Sequence, residues 1–114
     1  MISVCIWGMP QLAEKQLTEL AKTITNALRP DTPDIYPNSA NYTRRCVFFQ
    51  RDMMEWGLGE ELLIEVKGIR MAAHQKSDFV YCISETIRGL VQNCHCIEWR
   101  IQQDDSPEII IKHW

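Results

Sequence analysis

The chain contains no apolar run near the roughly 20 residues needed to cross a bilayer; its longest such runs are a few residues. Basic residues form no run longer than Arg44-Arg45, and a net charge of -3 with a pI near 5.6 argues against non-specific binding to a polyanion. Glycine is scarce, 5 of 114 residues. Gly57 and Gly59 are too closely spaced to cradle a phosphate and precede Glu60-Glu61, which would repel one. No serine stands in a G-x-S-x-G turn, and His74, His95 and His113 have no partner at catalytic spacing, so nucleophilic hydrolysis has no support. The amino terminus lacks a basic segment followed by a cleavable apolar one. With an odd count of five cysteines and no such leader, the expectation is a soluble cytoplasmic protein with reduced thiols, with no membrane or nucleic-acid partner and no cofactor.

Cys94-His95-Cys96 lacks the two-residue gap of a zinc-binding cysteine pair and has no second Cys/His pair nearby, so no metal is expected there. The two cysteines read instead as small apolar residues on one strand face, and Cys5, Cys46 and Cys82 as buried residues of core elements. Glu60-Glu61 and Asp104-Asp105 read as solvated loop ends.

What is present is enough apolar material for one core: 46% hydrophobic content in 114 residues predicts a single domain over 1–114. Ile2, Val4 and Ile6 alternate along a first strand. Leu12, Leu17, Leu20, Ala21, Ile24, Ala27 and Leu28 recur at helical spacing, with Pro10 suited to the first turn and Pro30 beyond the end. Residues 29–43, with Pro30, Pro33 and Pro37, read as a long stiff loop, either a binding loop or a plain connection. Arg45 to Gln50 is apolar on both faces and reads as a central strand. A hairpin-like connection, packed down at Trp56, leads to a third strand with Leu62, Ile64 and Val66 on one face. Phe79, Val80, Ile83, Ile87, Leu90 and Val91 mark a second helix, with Ser77 as its N-cap and Asn93 as its stop. Ile97, Trp99 and Ile101 mark a fourth strand.

The two halves repeat. Ile2 to Gly8 corresponds to Leu62 to Gly68 at an offset of sixty, and Leu20, Ile24 and Ala27-Leu28 to Ile83, Ile87 and Leu90-Val91 at sixty-three. The pattern predicts an α+β fold: a tandem β-α-β repeat, with units about 1–51 and 61–103, forming a four-stranded mixed sheet with two helices on one face. A ferredoxin-like sandwich has the same element order and is the alternative. Glu65, Lys67, Glu98 and Arg100 on the second face are placed to form cross-strand pairs, whereas Ser3, Cys5, Trp7, Val47 and Phe49 are too apolar for open solvent, so oligomerisation is expected. Residues 107–114, with Ile109-Ile110-Ile111, form a strand or arm able to pair with a sheet edge of its own or of a neighbouring subunit.

Ile35-Tyr36-Pro37, Arg44-Arg45 at the start of a strand, Asp52, Met54 and Gly57, and Lys67-Gly68-Ile69-Arg70 together resemble the tautomerase superfamily, in its 5-carboxymethyl-2-hydroxymuconate isomerase and macrophage migration inhibitory factor-like branches. The resemblance spans most of the chain. It implies a homotrimer packed through its sheets and an isomerase acting by keto-enol tautomerisation on a small carboxylate-bearing substrate. It places Arg45 and Arg70, with Ile2 and Trp56, at the substrate; read from the residues alone, the two arginines are equally solvated charges at strand ends. Arg44 reads as a surface charge, since neighbouring strand residues point to opposite faces. The amino-terminal proline that serves such enzymes as base is not here: the chain begins Met1-Ile2. The remaining candidate base is the α-amino group of Met1, whose ordinary pKa is roughly 7.7 to 8.0. The same scaffold without activity, as an oligomeric ligand-binding or protein-interaction module, is the other functional reading.

Overall fold

A computed structural model describes residues 2–28, 45–51, 60–69, 72–103 and 106–114. Its elements run β1 (Ile2–Met9), α1 (Glu14–Ala27), β2 (Arg45–Arg51), β3 (Glu61–Lys67), α2 (Ala73–Leu90), β4 (Cys96–Gln103) and β5 (Ser106–His113). The strands form one mixed sheet in the order β2-β1-β3-β4-β5. The α+β class and the two helices agree with the sequence; among the described residues the sheet has five strands where four were expected. The fifth is the 107–114 segment, which pairs antiparallel with β4 of its own chain through all eight residues of β5.

Pairing follows the repeat. β1 and β2 are direct parallel neighbours joined through α1, and β3 and β4 are direct parallel neighbours joined through α2. A split β-α-β arrangement would insert a strand inside each pair, so the ferredoxin-like alternative does not describe this topology. The halves meet where β1 lies antiparallel to β3, with Cys5 opposite Glu65. These positions are equivalent under the sixty-residue strand offset, so a local two-fold axis passes between them. The backbone keeps the same symmetry: Gly8 and Gly68 have φ of 88° and 83°.

The core lies between sheet and helices. Ile2, Val4 and Ile6 of β1, Leu62, Ile64 and Val66 of β3, and Ile97, Trp99 and Ile101 of β4 meet Leu20, Ile24 and Leu28 and, from α2, Phe79, Val80, Ile83 and Ile87. Period-two burial in the strands and period-3.6 burial in the helices are what pack a layer of helices on one sheet face. Trp99 is fully buried; its indole N–H donates to Ser84 Oγ at 2.9 Å, and its ring meets Phe79 edge-on at 5.6 Å. β5 is fastened to α2 by the Lys76–Glu108 ion pair and by Arg88 stacked over Trp114 at 5.2 Å.

Several boundaries differ from the sequence reading. α1 begins at Glu14, four residues after Pro10, with Ala13 as N-cap. α2 begins at Ala73 with Ala72 as N-cap, which leaves Ser77 exposed inside the helix, and it ends at Leu90 before Asn93. In both helices the missing side-chain acceptor at the N-cap is offset by a glutamine three residues on, Gln16 or Gln75, whose Oε1 accepts the N-cap N–H. Among the described residues β2 is an edge strand, not a central one, and β1 lies between it and β3, so β2 and β3 do not pair with each other; the connection between them lies outside the described residues. Trp56 and the 29–43 loop lie outside the described residues.

Candidate functional site

One end of the sheet gathers the amino ends of β1 and β2 with the carboxyl end of β3. Ile2 lies opposite Arg45, Ser3 opposite Lys67, and Lys67 opposite Gln102. Two of the residues expected at a carboxylate site, Ile2 and Arg45, are thus register neighbours. Ile2 does not present its side chain to a ligand, however. It has no exposed surface because positions 2, 4 and 6 share the face under the helices. Met1, Trp56 and Arg70 lie outside the described residues, as does Arg44.

Among the described residues, the second sheet face carries no helix. Phe48, Cys5, Glu65, Arg100 and Ile109 form one row across the five strands, and Gln50, Trp7, Leu63, Glu98 and Ile111 the next. Trp7 and Phe48 are 43% and 46% exposed, and Ile109 and Ile111 59% and 50%. The polar groups among them are partly bound to each other. Trp7 Nε1 donates to Glu65 Oε1 at 2.6 Å, and Arg100 Nε donates to Glu98 Oε2 at 2.7 Å. The expected cross-strand ion pairs are therefore replaced. Arg100 reaches along its own strand to position 98, and the indole takes Glu65.

At the opposite end from Ile2, a shallow hollow of about 340 Å³ opens where β1 finishes and β3 and β4 begin, lined by Trp7, Leu63, Cys96 and the carboxylates Glu61 and Glu98. Burial, then Glu61 and Glu98, push the Cys96 thiol up from its ordinary pKa. Burial, then Glu65, do the same for Cys5, against a smaller opposing pull from Lys67. Both thiols stay protonated at neutral pH, so neither is an activated nucleophile. An acidic rim also disfavours a carboxylate ligand, so this hollow is not the anion site expected from the arginines.

The hollow was missed in the sequence because Glu61 read as a solvated loop end. Its side chain is indeed 76% exposed and 3.9 Å from His95 Nε2, but β3 begins at this residue, which sets it beside Cys96. The cysteines also differ from expectation. Cys94 is buried, with burial raising its pKa, whereas Cys82 is exposed and Cys5, Cys46 and Cys96 are half-buried. Among the described residues no three His, Cys, Asp or Glu side chains come together as a metal site, and no helix is long and apolar enough to cross a membrane. No protein-family model, curated protein or solved structure matches the chain.

Proposed function

We propose that this protein is an oligomeric, tautomerase-like module whose open sheet face is a protein–protein interface. The observation that carries the reading is the composition of that face: Trp7 and Phe48, each nearly half exposed, flank half-buried Cys5 and Leu63 on adjoining strands. Large aromatic side chains left exposed together on one sheet face are what association surfaces present. The resemblance favours a trimer of identical chains. In this reading the scaffold binds and assembles, and Cys5 and Cys96, with thiols held protonated, are packing residues of its open face and not nucleophiles.

Phe48→Glu tests it. Phe48 is already half exposed within one chain, so the substitution is expected to leave the circular dichroism unchanged while lowering the native mass measured by sedimentation at micromolar concentration. An unchanged mass would overturn the interface.

A second reading has one observation in its favour. The register sets Arg45 opposite Ile2 at the amino end of β1, next in the chain to Met1, whose α-amino group would be the base for a small keto or enol acid. Arginine suits a carboxylate through paired hydrogen bonds. Turnover of phenylenolpyruvate that is lost in Arg45→Ala and Arg70→Ala, with Met1 retained in the intact mass, would select this reading. No turnover leaves the binding module.

A further inference from the structure

The outer edge of β5 has the features of a self-complementary surface. Trp114 N–H donates to the His95 carbonyl at 2.9 Å, and Cys96 lies opposite His113. In an antiparallel ladder, hydrogen-bonding direction alternates residue by residue. The even-numbered residues Glu108, Ile110 and Lys112 therefore direct their backbone groups to β4, and the odd-numbered Pro107, Ile109, Ile111 and His113 direct theirs outward. Pro107, which has no N–H to give, falls in the outward set, where an edge strand tolerates proline.

Edge strands are ordinarily guarded against further pairing by bulges, brevity or outward charge. β5 has eight residues, its pairing to β4 runs without a register shift, and its open-face side chains at 109 and 111 are isoleucines with half or more of their surface exposed. Among the described residues it is the last strand of the sheet. Its two charged residues of opposite sign, Glu108 and Lys112, stand symmetrically about Ile110.

We propose that β5 pairs antiparallel with β5 of a second copy of this chain, across a two-fold axis at Ile110, joining two sheets into one of ten strands. In this register Ile109 of each chain faces Ile111 of the other in a hydrogen-bonded pair, and each exchanges both backbone bonds. The His113 N–H of each chain donates to the Pro107 carbonyl of the other, and the missing proline N–H removes only one bond at each end of the ladder. Glu108 comes opposite Lys112 in both halves. A register one residue to either side would direct outward groups against inward ones. A shift of two would lose the Glu108–Lys112 match. The four isoleucines form an apolar patch on the open face across the axis, while both helix layers stay on the other side. The proposal does not rest on the open-face interface, since edge pairing joins sheets side by side.

The axis makes the test specific. In a non-hydrogen-bonded antiparallel pair the Cα atoms are about 4.5 Å apart, within disulfide reach. Ile110→Cys in a Cys82→Ser background, exposed to air, is expected to give mostly covalent dimer on a non-reducing gel and single chains after reduction. Ile109→Cys, whose self-equivalent lies two residues away, is expected to give little. A second measurement needs no substitution: in native-state hydrogen exchange the amides of Ile109, Ile111 and His113 should be protected at high protein concentration and at least tenfold less on dilution. Phe48→Glu alone should retain a two-chain species, and Phe48→Glu with Ile111→Pro, which removes an outward donor, should sediment as the 13.3 kDa chain. Protection without the Ile110→Cys cross-link would mean that β5 pairs with a different strand and would overturn the two-fold arrangement, as would fast exchange of all three amides at every concentration.

Discussion

Trp99→Ala is expected to cost about 3–5 kcal/mol of folding stability, a large part of the roughly 5–15 kcal/mol that a domain of this kind possesses. Among the described residues Trp99 is the largest fully buried side chain, and it stands where β4 meets α2. Three contributions go together when it is removed: the apolar area of the indole, the edge-on contact with Phe79, and the N–H bond to Ser84. The resulting cavity would lie between a central strand and a helix that are each held by their other contacts, which limits how far it can collapse. The thermal midpoint should fall by on the order of 10–20 °C, and urea titration followed by far-ultraviolet circular dichroism measures the loss. Ser84→Ala separates the terms, because it leaves the ring in place and only removes the acceptor. An indole N–H buried without a partner costs about 1–3 kcal/mol. A Trp99→Ala variant as stable as the parent would mean that the two layers are not packed through this residue.

Gly8→Val should destabilise the fold by about 2–3 kcal/mol, because the cost arises in the backbone as well as in the space around it. Gly8 has φ of 88° at the point where the β1–β2 register shifts between Trp7 and Met9. A Cβ added there would come within 3.1 Å of the Glu61 carbonyl oxygen, which belongs to the backbone of the adjoining strand and cannot rotate away. A β-branched residue is the least able to adopt a positive φ. The prediction is checked by the same urea titration. Unchanged stability in the Gly8→Val variant would show that this turn tolerates an ordinary conformation. The disturbance should also reach the hollow, since Gly8 lines it beside Trp7 and Leu63.

Much of the architecture was legible because both halves repeat the same burial pattern. Leu20 and Ile24, and their counterparts Ile83 and Ile87, are all buried, as the helical spacing requires. Ile2, Val4 and Ile6 and their counterparts Leu62, Ile64 and Val66 are buried as strand alternation requires. Helix starts were less legible, since the N-caps are alanines and the capping comes from glutamine three residues on, a weaker mark than serine, threonine or aspartate. β2 misled through its composition. Apolar residues on both faces suit a central strand, but here one face lies toward the helices and the other carries half-exposed Phe48 on an open surface. Cys82 misled because one helical position separates a buried face from an exposed one, and its neighbour Ile83 took the buried side.

The sequence by itself determined the apolar faces of β1, β3, β4 and both helices and the succession of two β-α-β units, because the period of the apolar residues is a local property read within a few turns of helix or a few residues of strand. Only the tertiary structure decided strand order. Nothing local in β1 or β3 distinguishes a neighbour on one edge from a neighbour on the other, and that choice is made by which pairing lets both helices cover one continuous face. The same choice set Glu61 and Glu98 beside Trp7 and brought Ile2 next to Arg45. It also left β5, an apolar strand by its own composition, at the edge of the sheet with half of its backbone turned outward.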